Sequence, residues 1–185
     1  MELTRNSIKL IEGFLSDEEY KRVSDHLNGP IWRFGHSSLS NSDNPSILSH
    51  KWFDCHMEDN SFFNDHLLKK INRITKQEWT ADGIYANGQL IHQDGSWHTD
   101  RSGNYGDSDY EFFTFMIYIS PITKSNVDAI NGHTEFRVND EIISVEPFIN
   151  RAVMFDSYLW HRGRAPCVPN FFRKTLVWKL IRKKS

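Results

Sequence analysis

Three side chains in the second half of the sequence have the types and spacing of a metal site. His98 and Asp100 are separated by a single residue, and His161 follows far downstream within Trp160–Gly163. Two imidazole nitrogens and one carboxylate oxygen can bind a divalent ion at three adjacent positions and leave the others open. This ligand set is typical of non-haem Fe(II) sites, although Mn, Co and Zn accept the same donors.

The elements around these residues must bring the three side chains together. Residues i and i+2 of a strand point to the same side, so we expect His98 and Asp100 to face one ion together. An apolar run at residues 152–156 precedes His161. That run predicts a strand, and His161 beyond its end could approach His98 and Asp100 from a facing sheet.

Two other histidines, His92 and His133, also lie in β-type sequence and are alternative ligands. A His-x-Asp pair arises by chance quite often, and most isolated histidines are surface or hydrogen-bonded residues. We prefer His98 because Asp100 is its same-face partner, and because an apolar strand leads to the distal His161.

The first part of the sequence predicts two helices. Ser16 and Glu19 have the spacing of a capping box, which predicts a helix from this point to about Leu27. Gly29–Pro30 would end that helix. Apolar residues at helical spacing predict a second helix over residues 61–75.

Beyond these helices the sequence changes to short β-type runs separated by turn residues. The predicted strands are residues 31–34, 47–55, 81–85, 89–92, 111–120, 134–138, 141–145, 152–156 and 174–181. The predicted turns include Asn87–Gly88 and Asp94–Gly95. The polar stretch 101–109 predicts either a lid over the site or a solvated hairpin tip.

Helices followed by many short strands favour a mainly β fold, in which N-terminal helices support a double sheet or barrel. The composition shows no break between domains. We therefore expect one domain over residues 1–185, with helical support over about residues 1–78 and a β core over about residues 79–182.

Composition and charge restrict the class of protein. The 185 residues are 38% hydrophobic and 14% aromatic, which predicts a packed globule. The net charge of −2 gives no electrostatic footprint for nucleic acid, so we expect no nucleic-acid partner.

No run approaches the roughly 20 apolar residues of a membrane helix, and the N-terminus lacks a signal core. Cys55 and Cys167 do not suggest a disulfide framework, so we expect free thiols, a cytoplasmic location and no membrane partner.

In order and chemistry, roughly residues 80–181 resemble the 2-oxoglutarate- and Fe(II)-dependent dioxygenases, specifically the prolyl 4-hydroxylase-like branch. That family has a Tyr-x-x-Gly turn, a His-x-Asp pair, a distal His, and an Arg or Lys on the last strand. The matching segments are Tyr85–Gly88, His98–Asp100, Thr134–Phe136, Arg151–Ser157, Trp160–Gly163 and Arg173–Trp178.

The resemblance implies a double-stranded β-helix (jelly-roll, cupin-like) and an enzyme that hydroxylates an unactivated C–H bond, releasing succinate and CO2. It implies Fe(II), 2-oxoglutarate as cosubstrate and O2, with ascorbate as a candidate reductant. His98, Asp100 and His161 would be the metal ligands and the catalytic residues. Related halogenases lack the carboxylate, so the presence of Asp100 favours hydroxylation.

The resemblance also points to residues that would bind the cosubstrate. Arg173 resembles the residue that pairs with the distal carboxylate of 2-oxoglutarate, which a guanidinium can bind through two parallel hydrogen bonds. Lys174 is the alternative, because some relatives use lysine and strand alternation lets only one of the two point inward. Tyr85 and Tyr118 resemble tyrosines that help to bind the cosubstrate, and each could instead be a core aromatic residue.

The substrate is left open by the sequence. The stretch between Gln89 and Trp97 is longer than in compact prolyl hydroxylases, which puts a peptidyl prolyl substrate in doubt. A protein, peptide or small-molecule substrate and any oligomeric state remain compatible. Two alternative functions are a non-catalytic cupin-like binding protein and a nucleic-acid demethylase of the same superfamily. Those demethylases carry a further arginine, where this chain has Lys179.

Overall fold

A computed structural model describes residues 7–37, 51–101 and 109–184. The strands in these ranges are β1 (Ile8–Ile11), β2 (Arg33–His36), β3 (Trp52–His56), β4 (Thr80–Gln89), β5 (Tyr110–Tyr118), β6 (Thr134–Val138), β7 (Glu141–Val145), β8 (Ala152–Asp156), β9 (His161–Gly163) and β10 (Arg173–Lys183). The helices are α1 (Asp17–Leu27), a π-helical segment (Phe62–Leu67) that runs directly into α2 (Leu68–Thr75), and the short α3 (Val127–Ile130).

The strands form two antiparallel sheets. The larger sheet has the order β1-β8-β5-β10-β4-β3-β2, and the smaller has the order β7-β6-β9. Met116 and Val177 of the larger sheet share a buried cluster with Phe136 of the smaller sheet. The smaller sheet therefore packs against one face of the larger one.

Helices cover the opposite face of the larger sheet. Val23 of α1 and Ile71 of α2 are buried in one cluster with Phe115 and Trp178 of the sheet. The predicted capping box is present: the Ser16 hydroxyl accepts a hydrogen bond from the Glu19 amide (3.2 Å) while the Glu19 carboxylate accepts one from the Ser16 amide (2.8 Å). No helix within the described ranges has both the length and the apolar character needed to span a bilayer.

Strand β10 divides its side chains between two environments. Leu176, Trp178 and Leu180 pack toward the helices. The odd-numbered residues from Arg173 to Lys179 point to the other side, where they line a cavity between the sheets. The central strand thus carries core residues on one face and polar residues for a site on the other.

Most of the predicted strands are observed, within a few residues at their ends. The strand predicted at residues 89–92 is wrong, because β4 ends at Gln89 and the chain then turns. The Gln93 amide donates to the Leu90 carbonyl (3.2 Å), and His92 has a φ of 68°. Residues 47–50 of another predicted strand, and residues 102–108 of the candidate lid, lie outside the described ranges.

The turn predicted at Asn87–Gly88 is also wrong. Both residues lie inside β4, where Gly88 is paired with Phe53 on one side and Lys174 on the other. A β-carbon on Gly88 would lie 2.1 Å from Cζ of Phe172. The glycine is therefore required by the close approach of an aromatic ring, and it makes no turn.

Gly88→Ala is expected to destabilise the fold by about 1–3 kcal/mol, the usual cost of forcing extra volume into a packed site. The Phe172 ring cannot easily move, because it packs edge-on against Trp32 and Phe53 with centroids 4.9 and 5.6 Å away. Urea denaturation would measure the loss. Gly83→Ala is the matched control in the same strand, since its β-carbon would meet no atom closer than 3.9 Å. Equal stability of the two variants would contradict the steric explanation.

Candidate metal centre

Backbone pairing brings the distant segments of the site together. His98 and His161 form an isolated antiparallel bridge, in which each amide donates to the other's carbonyl at 3.0 and 2.9 Å. The Asp100 amide donates to the Ser157 carbonyl at 2.8 Å. Residues 98–100 therefore lie along the end of β8 and the start of β9, although they form no regular strand.

The three predicted ligands converge. One donor atom from each of His98, Asp100 and His161 lies within 4.8 Å of the others, and within the described ranges this is the one such group of three. The Nε2 atoms of His98 and His161 lie 3.6 Å from the two carboxylate oxygens of Asp100, Oδ1 and Oδ2 respectively. The two imidazole rings are 4.3 Å apart at their centroids.

Both imidazoles turn Nε2 toward the Asp100 carboxylate. Nδ1 of His98 lies 2.9 Å from the Ser96 carbonyl, and Nδ1 of His161 lies 2.9 Å from the Leu159 carbonyl. Because a carbonyl only accepts, each Nδ1 carries the proton and each Nε2 keeps its lone pair. Burial lowers the pKa of His161 to about 4, so the ring is neutral at physiological pH, the form that binds a metal. The donor set therefore fits a divalent ion.

Asp100 is held by two further groups. The Thr114 hydroxyl donates to Oδ2 at 2.5 Å, and the Lys179 ammonium contacts the same oxygen. Burial alone would raise the pKa of Asp100, but Lys179 and His161 more than offset it, so the pKa lies well below its usual range. The carboxylate is consequently ionised, and Thr114 and Lys179 hold its orientation.

A cavity of about 250 Å³ opens from this cluster between the two sheets. Besides the three ligands, its walls include Gln89, Thr134 and Arg173 on one side and Trp52, Tyr85 and Lys179 on another. The space is concave and mixed in polarity, as expected for a site that binds small polar molecules.

Arg173 is buried at one end of the cavity, with an exposed fraction of 3%. Its Nε donates to the Gly132 carbonyl (2.6 Å), Nη1 to the Gln89 side-chain oxygen (2.7 Å), and Nη2 to the Thr134 hydroxyl (3.2 Å). These bonds use three of the five guanidinium N–H groups and fix its plane. The remaining two N–H groups are those that could bind a carboxylate in the cavity.

Lys174 points away from the cavity, toward the helices. Its ammonium donates to the side-chain oxygen of Asn28, at the end of α1, over 2.6 Å. Strand alternation thus places Arg173, and not its neighbour, at the position that could receive a cosubstrate carboxylate.

The two predicted tyrosines occupy different positions. Tyr85 lines the cavity, where its ring lies 5.7 Å from the Lys179 ammonium. Tyr118 is buried beneath the wall, and its hydroxyl donates to the Thr134 hydroxyl at 2.8 Å. Tyr118 therefore acts on the cavity through its neighbours: its hydroxyl bonds Thr134, which contacts Arg173, and its ring lies 5.6 Å from the Arg173 guanidinium carbon.

The two alternative histidines do not join the cluster. His92 is exposed at the turn after β4, and Nδ1 of His133 lies 2.6 Å from the side-chain oxygen of Asn131. The residue that sequence reasoning missed is Lys179, which was considered only as a substitute for an arginine. Its even spacing from Arg173 on one strand was the available signal.

The sequence matches no protein-family model, and no curated protein matches it. Solved structures do resemble the fold. A 2OG-Fe(II) oxygenase family oxidoreductase from Burkholderia pseudomallei has a TM-score of 0.68 at 12% identity, covering 94% of this chain and 84% of that one. The prolyl hydroxylase of Trichoplax adhaerens, solved with a hypoxia inducible factor peptide fragment, has a TM-score of 0.67 at 12% identity, covering 94% and 83%.

This chain has the fold of the 2OG-Fe(II) oxygenases. A viral collagen prolyl hydroxylase from Paramecium bursaria Chlorella virus-1, solved as a 2OG complex, also shares the fold, with a TM-score of 0.58 at 14% identity over 96% of each chain. The predicted fold class, mainly β with supporting N-terminal helices and a double-stranded β-helix, is confirmed. Within this oxygenase fold, the reaction must be argued from the side chains of the site.

Proposed function

We propose that this protein is an Fe(II)- and 2-oxoglutarate-dependent dioxygenase that hydroxylates an unactivated C–H bond and releases succinate and CO2. The observation that carries the proposal is the convergence of His98, Asp100 and His161 in a cavity whose far end holds the buried Arg173. Two imidazoles and one carboxylate with open positions are the ligand set of non-haem iron oxygenases. The shared fold is consistent with this chemistry and does not by itself establish it.

The metal ligands have separable roles in this proposal. His98 and His161 would each donate an Nε2 lone pair, with the tautomer fixed by a backbone carbonyl. Asp100 would supply the anionic ligand, held in orientation by Thr114. When bound, Fe(II) with 2-oxoglutarate supplies the activation of O2.

The cosubstrate would lie between the metal ligands and Arg173. The guanidinium is desolvated and held by Gln89 and Thr134, so its free N–H groups are aimed at a fixed point in the cavity. A carboxylate there gains charge-assisted hydrogen bonds without the entropy cost of ordering the arginine. Tyr118 would act on the cosubstrate indirectly, through Thr134, and Tyr85 would line the space beside the metal ligands.

The remaining features of the proposal concern the setting of the reaction. The chain would act as one dioxygenase domain, with ascorbate as a reductant that restores Fe(II). Cys55 is buried, Cys167 is exposed, and both are free thiols, which supports a reducing cytoplasmic compartment. Nothing in the net charge of −2 favours a nucleic-acid substrate.

Succinate formation tests the proposal directly. Purified protein supplied with Fe(II), 2-oxoglutarate, ascorbate and air is expected to convert 2-oxoglutarate to succinate slowly even without primary substrate. Omission of Fe(II), or exclusion of O2, should stop the conversion. Stoichiometric binding of Mn(II) and 2-oxoglutarate with no succinate under any of these conditions would instead support the non-catalytic binding protein.

Thr114→Val is expected to weaken Mn(II) binding about tenfold, because loss of a group that orients a metal ligand commonly costs 10–100-fold in affinity. The Thr114 hydroxyl donates to Asp100 and also contacts the Ser157 hydroxyl at 3.1 Å. Isothermal titration with Mn(II) measures the change. Thr114→Ser keeps the hydroxyl and should retain most of the affinity, so a serine variant as weak as the valine variant would contradict the assigned role.

A further inference from the structure

The cavity contains two cations on one strand. Arg173 and Lys179 lie on the same face of β10, six residues and therefore roughly 20 Å apart along an extended strand. Arg173 is bound by neutral groups at the far end. Lys179 lies beside the metal ligands, where its side chain is 20% exposed.

The proposed reactants would leave one of these charges uncompensated. Among the described residues that line the cavity, Asp100 is the one carboxylate, facing the cations Arg173 and Lys179. The charge of a divalent ion is cancelled by Asp100 and one carboxylate of 2-oxoglutarate, and the charge of Arg173 by the other carboxylate. With the ion and 2-oxoglutarate bound, the cavity would therefore carry a net charge of one positive unit, which is that of Lys179.

Asp54 on β3 is an acid near the same end of the cavity, but its carboxylate is already shared. Its Oδ2 lies 3.8 Å from Nδ1 of His36 and 3.3 Å from Nε2 of His56. It is also absent from the cavity lining. It is thus poorly placed to be the partner of Lys179.

The walls near Lys179 are aromatic. His36 lies 5.4 Å from Trp52 and 6.0 Å from Tyr85 between ring centroids, and all three line the cavity. Aromatic walls favour a ligand with an apolar part, and the Lys179 ammonium favours a ligand that also carries an anionic group. The cavity of about 250 Å³ must hold 2-oxoglutarate as well, so the part of the second molecule that enters it must be small.

We propose that Lys179 binds a carboxylate of the primary substrate, so that the substrate is a small organic acid and not an internal peptidyl prolyl residue. This inference rests on the proposed function, since it assumes that the metal and 2-oxoglutarate occupy the rest of the cavity. The competing explanation is that Lys179 serves Asp100 alone. The two explanations differ in whether Lys179 discriminates between charged and neutral ligands.

The test compares each acid with its neutral amide. N-acetyl-proline, N-acetyl-leucine and N-acetyl-phenylalanine are titrated, with their primary amides, into protein saturated with Mn(II) and 2-oxoglutarate, and water-proton relaxation of Mn(II) reports binding. At least one acid is expected to bind about tenfold or more tightly than its amide, as a charge-assisted hydrogen bond allows. Saturation with Mn(II) and 2-oxoglutarate keeps changes in metal affinity out of this ratio.

Variants assign the preference to the residue. Lys179→Met should reduce the acid-to-amide ratio to about one, whereas Lys179→Arg, which keeps the cation and guards against misfolding of the first variant, should retain a preference. Lys174→Met is the matched control on the opposite face of β10 and should leave the ratio unchanged.

The possible failures are distinguishable. A wild-type protein that does not bind Mn(II) and 2-oxoglutarate contradicts the proposed function itself. A protein that binds both but prefers none of the acids contradicts only the assignment of the substrate class. A preference for acids that survives in Lys179→Met overturns the role of Lys179, and a variant that weakens Mn(II) binding without changing the ratio shows that Lys179 acts on Asp100 alone.

Discussion

His98→Ala is expected to abolish high-affinity binding of Mn(II) or Fe(II) and to reduce succinate formation by about 10³-fold or more. Loss of a group that merely supports a ligand commonly costs 10–100-fold, so loss of the ligand itself should cost more. The His98 side chain is 24% exposed, which makes its removal less disruptive than that of His161, whose ring packs against Phe155 at 4.7 Å. Metal titration and a succinate assay measure the two losses.

His133→Ala is the matched control for that variant. His133 lies in the same half of the chain and was one of two alternative ligands in the sequence, but its Nδ1 faces Asn131. The control should bind Mn(II) as tightly as the wild type, and both variants should unfold at a similar temperature. If His98→Ala bound the metal normally, the ligand assignment would fail, whatever its effect on turnover.

Arg173→Met is expected to raise the dissociation constant of 2-oxoglutarate about 100-fold while Mn(II) binding stays intact. Removing one partner of a buried, hydrogen-bonded charge pair typically costs about 2–5 kcal/mol of binding free energy. Titration of 2-oxoglutarate into the Mn(II)-saturated variant separates this effect from any change at the metal. The distance of Arg173 from the ligand cluster along β10 is what allows the two affinities to differ.

Arg173→Met also leaves two of its partners without a donor, at a cost of about 1–3 kcal/mol of folding stability for each buried acceptor. These acceptors are the Gly132 carbonyl and the Gln89 side-chain oxygen, whereas the Thr134 hydroxyl still accepts a hydrogen bond from Tyr118. Arg173→Lys retains the charge and should show a smaller loss of 2-oxoglutarate affinity than methionine. Lys174→Met should show none, and a weakened affinity in that control would reverse the assignment of the two residues.

The sequence was sufficient where local geometry decides the outcome. The capping box at Ser16 and Glu19 depends on neighbours within one helical turn. His98 and Asp100 face the same side because alternate residues of an extended chain do so. What the sequence did not contain is the reason these residues hold that geometry, which is their backbone pairing with His161 and Ser157.

Tertiary contacts account for the errors. Asn87–Gly88 has strong turn propensity, yet the pair lies within β4 because Gly88 leaves space for the ring of Phe172. No local rule reveals a contact with a residue so distant in sequence. Lys179 is an intermediate case, since its spacing from Arg173 was visible but its proximity to Asp100 requires the folded sheet.

The reciprocal backbone pair between His98 and His161 bears on metal selection. With both main chains joined and each ring aligned by a carbonyl, the protein itself orients the donors of this cradle, whereas zinc fingers fold only around their metal. Such a preformed cradle does not exclude competitors through folding, and nitrogen and oxygen donors generally hold Fe(II) more weakly than Co(II), Ni(II) or Cu(II). Under the proposed function, loading with iron therefore depends on which metals the surroundings offer, and binding of a competing metal is the expected hazard.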